Sequence, residues 1–254
     1  MKVDLKKASL AQFLQFKTLY YDKIDFTTVE SSWNLLSREI TLPFVIHIVG
    51  TNGKGSTGRF LSHYLNKSNY KVLHYSSPHI VKFNERIWIN GDDVSNEVLE
   101  DAHKYLQNLY PIALLEKLTY FEYTTLLSLY LSKDCDYLVL EAGLGGEFDA
   151  TNVVRNDLSL ITTIDLVHDN VYKTALKVKE QILEERNTAI SIDKVRDFNK
   201  YELNNKFASY LKRNLHLVIA CLNELKIDIN LELFDDLTLF GRCQKIAKNI
   251  TIDV

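Results

Sequence analysis

The sequence predicts an α/β fold with a mainly parallel sheet flanked by helices, on three observations. Short continuous apolar runs, FVIHIV (44–49), YLVLEAG (137–143) and LSLITTIDL (158–166), have the pattern of strands buried on both faces. The segments between them carry apolar residues at helical spacing, and strands alternating with helices imply a parallel sheet. Seven of the nine glycines fall in two stretches, GTNGKGSTG (50–58) and EAGLGGEFDATN (141–152), each directly after an apolar run. Glycine serves where the backbone takes positive φ or approaches a ligand closely, so these two points are expected to be backbone-shaped sites.

The elements follow in order. Residues 8–39 read as helical, with Leu10, Phe13, Leu14 and Phe16 early and Trp33, Leu35 and Leu36 later. Pro43 precedes the first strand; the glycine loop follows it, and RFLSHYLNKS (59–68) has helical spacing. KVLHYSS (71–77) is a strand stopped by Pro78, and RIWIN (86–90) is a strand entering a turn at Gly91. Residues 95–109 and 121–132 are predicted helices. Residues 171–213 are rich in Lys, Glu, Asn and Asp, with helical spacing at Val171, Leu176, Val178, Ile182 and Leu183. An amphipathic helix is expected over 214–226, and NITIDV (249–254) reads as a strand.

Bulk properties exclude several classes. The 254 residues are 46% hydrophobic, enough for one large domain or two small ones, and the net charge of −3 gives no footprint for nucleic acid or anionic membrane. No apolar run approaches the ~20 residues of a membrane span, and the N-terminus has no signal-peptide core. Cys135, Cys221 and Cys243 show no metal-binding spacing, so free thiols in a reducing cytoplasm are expected.

In the first cluster, Gly50, Thr51, Asn52, Gly53, Lys54, Gly55, Ser56 and Thr57 form a loop between strand and helix. Backbone N–H groups there, with a helix N-terminus, make an anion site for polyphosphate. Lys54 would reach the β- and γ-phosphates, and Ser56 and Thr57 supply hydroxyls near a Mg²⁺ ion. The ordinary P-loop rule is not met: Ile48 replaces its first glycine, and Gly55 separates Lys54 from Ser56.

Glu141 ends a buried strand, where a carboxylate is costly unless paired or on a metal; it is either a metal ligand or a cap of the next turn. Ser76 and His168 also end strands, at the edge where α/β folds gather ligands, and either could be a metal contact or an ordinary loop residue. His47 is expected in the core and His79 in a structural or surface role. The aromatics of TYFEY (119–123) could stack on a flat heteroaromatic ligand or pack the core.

Taken together, GTNGKGST, YSSPHIVKFNERIWING, TYFEYTTL, LVLEAGLGGEFDATNVV and TTIDLVH resemble conserved blocks of the folylpolyglutamate synthase and dihydrofolate synthase family, among the Mur-type ligases. The resemblance is strong over residues 40–168 and in outline over 207–254. It implies a P-loop-containing central domain of the Mur-ligase type over 1–248, with 249–254 beginning a C-terminal, Rossmann-like glutamate-binding domain that this chain does not contain. It also implies a reaction. ATP phosphorylates a pterin-bearing carboxylate (dihydropteroate, a reduced folate, or both), and L-glutamate attacks the acyl phosphate.

Carried over residue by residue, Lys54, Glu141 and His168 look catalytic. Ser76 and Glu141 resemble ligands of one Mg²⁺, and His168 a ligand of a second. Asn214, Arg242 and Asp253 resemble residues closing over ATP beside the loop, and Thr119, Phe121, Asp149 and Ala150 resemble the pterin pocket. The two glycine clusters then become opposite walls of one site. A cytoplasmic monomer handling small molecules, without nucleic acid or membrane partners, is expected.

Departures accompany the resemblance. Glu147 stands where a basic residue is common, and Val167 replaces an aspartate before His168. The family's lysine segment after the histidine has no match between Asp169 and Asn214; Lys173, Lys177 and Lys179 lack its context. A missing segment near 167–171 is therefore predicted. Another Mur-type amino-acid ligase and a non-catalytic nucleotide-binding module are the alternatives; the TYFEY and DATN blocks argue against the former.

Overall fold

The apolar runs pair side by side to make the sheet. The computed structural model describes residues 4–19, 25–143, 149–164, 189–195, 207–237, 239, 244–247 and 250–252. Strands β1 (Phe44–Val49), β2 (Val72–Tyr75), β3 (Ile87–Ile89), β4 (Asp92–Asp93), β5 (Tyr137–Glu141), β6 (Leu158–Ile161) and β7 (Ala189–Ser191) form one sheet in the order β4-β3-β2-β5-β1-β6-β7. The five strands from β2 to β7 in that order run parallel, and β3 and β4 extend the edge as antiparallel strands. Because β2, β5, β1 and β6 share a direction, their carboxyl ends open on one edge, where α/β folds place ligands. A separate hairpin pairs β8 (Gln244–Ala247) with β9 (Ile250–Ile252).

Helices cover both faces. One face packs α1 (Leu10–Gln15), α2 (Phe26–Leu36), α4 (Asn96–Leu109), α5 (Ile112–Lys117) and α6 (Tyr120–Leu131) against Val45, Leu73, Leu138 and Leu140. The other packs α3 (Lys54–Lys67) and α7 (Ser209–Glu224) against Ile46, Ile48, Val72, Val139 and Leu160. Alternate residues of the strands feed the two cores, as the two-residue period of a strand requires. Burying these side chains supplies most of the stability, at roughly 25 cal/mol per Å² of apolar surface removed from water. Among the described residues, no helix is long and apolar enough to cross a membrane.

Local chemistry sets the helix ends. Thr119 and Glu122 close α6 with a reciprocal capping box, Thr119 N–H donating to Glu122 Oε2 at 2.8 Å and Glu122 N–H to Thr119 Oγ1 at 3.3 Å. Ser95 caps α4 by accepting from Val98 N–H at 3.2 Å. A buried network fastens α4 to the N-terminal segment. His103 shares a proton with the Tyr123 hydroxyl at 2.6 Å and meets the Ala8 carbonyl at 3.0 Å, while Phe13 packs against both rings.

Three expectations need correction. The single helix over 8–39 is two, α1 and α2. The chain leaves helix after α1 because Thr18 O accepts from Tyr120 N–H at 3.1 Å and Lys17 Nζ donates to the Leu115 carbonyl. It re-enters helix where Asp25 caps Thr27 N–H. The helical reading of 171–213 gives way to a strand at β7, which extends the sheet by pairing with β6. The helix expected from 214 begins at Ser209. The break expected at 167–171, with His168, Arg242 and Asp253, lies outside the described residues.

Candidate active site

The first glycine cluster is a tight loop whose backbone only glycine tolerates. Gly50 has φ 138°, and a side chain there would meet Thr162 Oγ1. Gly53 has φ 87° and starts α3 in the left-handed region, with the Asn214 amide against its α-carbon. The end of β6 clamps the loop from the side: Thr51 N–H and Asn52 N–H both donate to Thr163 O, at 2.9 and 3.2 Å. The opening amide groups of α3 are thereby aimed into the strand-end edge, where they and the helix dipole favour an anion.

The side chains of the loop are held ready. Lys54 Nζ donates to Gly50 O at 2.9 Å and reaches Thr51 O at 3.4 Å, so it lies folded over the loop it would serve. Ser56 Oγ donates to Gly53 O at 3.1 Å and accepts from Asn214 Nδ2 at 2.8 Å. Thr57 Oγ1 is fully buried with no hydrogen-bond partner among the described residues. A buried hydroxyl without a partner costs roughly 1–3 kcal/mol, and Thr57 shares that state with Ser62 further along α3.

Glu141, 4% exposed, comes up from the end of β5 to face this loop. A methyl group placed on Gly55 would lie 3.5 Å from Glu141 Oε2, and the same oxygen accepts from Ser77 N–H at 3.2 Å. Ser76, at the end of β2, is held by its N–H donating to Arg86 O at 2.9 Å. Glu85 ties the following turn by accepting from the amides of Ile80, Val81 and Lys82 at 2.7 to 3.0 Å. Gly55, Ser56, Ser76 and Glu141 line one cleft of about 820 Å³. Two strands far apart in sequence thus deliver Ser76 and Glu141 to one place beside the loop.

Of the second cluster, Gly143 and Ala150 pack on the sheet face covered by α6 rather than beside the loop. Phe121 lies against Gly143, where a side chain would collide with its ring, and Phe121 and Tyr75 are tilted rings with centroids 6.0 Å apart. Asp149 is buried and accepts from Thr151 N–H at 3.0 Å and Thr151 Oγ1 at 2.6 Å, opening a short 3₁₀ turn at Ala150–Val153. His47 lies in the core, as expected, with Nε2 at 2.8 Å from Thr151 Oγ1. His79 accepts from Arg86 Nε at 2.8 Å at the mouth of the cleft. Thr119 works as the α6 cap.

Comparison with known proteins places this geometry. No family model matches the chain. It is 42% identical over 129 residues to a dihydrofolate synthase/folylpolyglutamate synthase of Haemophilus influenzae, covering 50% of this chain and 29% of that protein. The crystal structure of Helicobacter pylori folylpolyglutamate synthetase superposes with a TM-score of 0.77 at 35% identity, over 96% of this chain and 70% of that one.

The chain belongs to the dihydrofolate synthase/folylpolyglutamate synthase family.

A bifunctional family structure from Yersinia pestis, solved with AMPPNP and manganese, shares the fold with a TM-score of 0.79 at 21% identity, over 100% of this chain and 73% of that one. The match spans under a third of the length of the Haemophilus family member.

Several residues that shape the site were not singled out in the sequence. Thr162 and Thr163 clamp the loop, yet they read only as part of a strand. Arg59 and His74 also line the cleft. The signal for Arg59 was available: it stands four residues after Gly55, so a helix places both on one face.

Proposed function

We propose that the complete protein is an ATP-dependent ligase that joins L-glutamate to a pterin-type carboxylate, dihydropteroate or a reduced folate, through an acyl phosphate. The observation carrying this reading is the Glu141 carboxylate facing Gly55 across the phosphate loop. It supplies an oxygen ligand where a transferring phosphate would sit.

The loop and the first turn of α3 hold the ATP phosphates, and Lys54 leaves the loop carbonyls to pair with the β- and γ-phosphates. Asn214 already sits on Ser56 and fixes the loop from the α7 side. Glu141 and Ser76 would hold Mg²⁺. The fit is chemical: both donors are oxygens lining one cleft, and the described residues hold no cluster of three or more His, Cys, Asp or Glu. Mg²⁺ is typically held by one or two carboxylates plus substrate phosphates rather than by an all-protein cage. When bound, the ion neutralises charge on the transferring phosphoryl group. His168 is assigned to a second ion.

The pterin-bearing carboxylate attacks the γ-phosphorus, its C–O–P bond forms, and ADP leaves. The neutral amino group of L-glutamate then attacks the acyl carbon. The C–N bond forms, the C–O bond to phosphate breaks, and the amine proton leaves with the products. The protein's work here is positioning and charge neutralisation. Phe121, Asp149 and Ala150 are proposed to take the pterin, with Phe121 offering its ring face.

The test is glutamate-dependent ADP release by the full-length protein with dihydropteroate and with a reduced folate as acceptors. Lys54→Ala is expected to lower that release by at least about 100-fold. Near-normal turnover in Lys54→Ala would refute the loop assignment.

A further inference from the structure

The α3 cleft contains a cation, Arg59, that forms no ion pair among the described residues, although Asp93 and Glu85 line the same cleft. Arg59 lies one turn along α3 from Gly55, on the same helix face. Its guanidinium stacks over the Trp88 ring, 4.9 Å from the centroid. Among the described residues it makes no hydrogen bond and no ion pair. The carboxylates whose fields reach it are engaged elsewhere: Asp93 pairs with Lys82 at 3.1 Å, and Glu85 takes the amides of residues 80–82. Burial lowers its pKa to about 10, so it stays charged at neutral pH. Below it, His74 is 1% exposed with both ring nitrogens unpartnered, its Nε2 pressed against the α-carbon of Gly58. An unpaired guanidinium partly withdrawn from water is costly, and its contact with Trp88 leaves that cost unmet by any anion.

We propose that Arg59 anchors a substrate carboxylate other than the one being activated. The cleft takes an acidic molecule with its reacting group beside Gly55 and Glu141 and its second carboxylate on Arg59, about 6 Å further along the helix. This rests on the ligase reading above. The contact with Trp88 limits the guanidinium's freedom, and its N–H groups, unbonded among the described residues, suit a two-point bond to a carboxylate. The ATP phosphates are served by the loop amides at the other end of α3's first turn. The carboxylate comes either from the incoming L-glutamate or from the glutamyl tail of a reduced folate.

Steady-state kinetics of the full-length protein, with Arg59→Gln and Arg59→Lys, separates these sources. Arg59→Gln is expected to raise KM for one carboxylate substrate by about 10- to 100-fold, the loss of a charge-assisted hydrogen-bonded pair. KM for ATP should stay within about twofold, and Arg59→Lys should recover only part of the loss. A rise for L-glutamate assigns the anchor to the amino acid, and a rise for the reduced folate assigns it to the tail. Unchanged KM values for both in a folded variant, or a rise confined to ATP, would overturn the proposal.

A second readout needs neither turnover nor a variant. Phenylglyoxal labelling of Arg59, followed by mass spectrometry, should be suppressed by L-glutamate or the reduced folate and not by chloride at equal ionic strength. Absence of protection by both overturns the anchor even if Arg59→Gln fails to fold. Protection without glutamate-dependent ADP release in the wild type keeps the anchor and refutes the ligase reading.

Discussion

Two buried histidines on opposite faces of the sheet show how differently the faces are built. His103, on the face covered by α4 and α6, has both nitrogens within hydrogen-bonding distance of partners, the Tyr123 hydroxyl and the Ala8 carbonyl. His74, on the face covered by α3, has neither nitrogen partnered. Burial lowers the pKa of both, the more so at His74, where the Arg59 charge adds to it. The His103 face is built for stability, with polar atoms matched inside it; the Tyr110 hydroxyl is an exception. The α3 face leaves Thr57, Ser62 and His74 without hydrogen-bond partners among the described residues, and His74 and Arg59 line the cleft. Unmatched polar groups beside an anion-shaped loop are what a substrate site leaves open.

That contrast can be broken by substitution. His103→Ala should have the largest effect, about 3 kcal/mol of stability lost to a cavity and an unsatisfied Tyr123 hydroxyl, measured by denaturant unfolding. A loss below about 1 kcal/mol would mean the network is ornamental and the contrast false. Gly58→Ala comes next, at about 1–3 kcal/mol, because its methyl group would fall 2.3 Å from His74 Nε2. Combining it with His74→Val should restore most of that loss, and failure to do so would place the strain elsewhere. His74→Val alone is the smallest effect: within about 1 kcal/mol of wild type, since an apolar residue replaces an unsatisfied one. A large loss there would show that His74 has a structural partner in solution.

Much of the fold was legible for local reasons. The strands β1, β5 and β6 announced themselves as apolar runs because both of their faces are covered, and α4 and α6 by spacing and by their Ser95 and Thr119 caps. The three-residue β7 was not, because an edge strand that short has no periodicity to read. The break between α1 and α2 was hidden for a different reason: the bond from Tyr120 to Thr18 that ends the helical path joins residues about a hundred positions apart. In the site, the glycine loop between strand and helix was legible, and Glu141 as a costly strand-end carboxylate, whereas the meeting of Arg59 with Trp88 in the cleft depends on tertiary packing.

The sequence by itself determined the backbone-shaped loop and the strand-end place of Glu141, because positive φ, helix starts and strand ends are demands made within a few residues. Only the tertiary structure decided which of them meet. It brought Glu141 to Gly55, Asn214 to Ser56 and Thr163 to Thr51 and Asn52. The meetings of Glu141 with Gly55 and of Thr163 with Thr51 and Asn52 follow from the strand order β2-β5-β1-β6, in which non-consecutive strands become neighbours, and that of Asn214 with Ser56 from the packing of α7 on α3. That order is set by which buried faces pack together across the whole chain, and no local pattern encodes it.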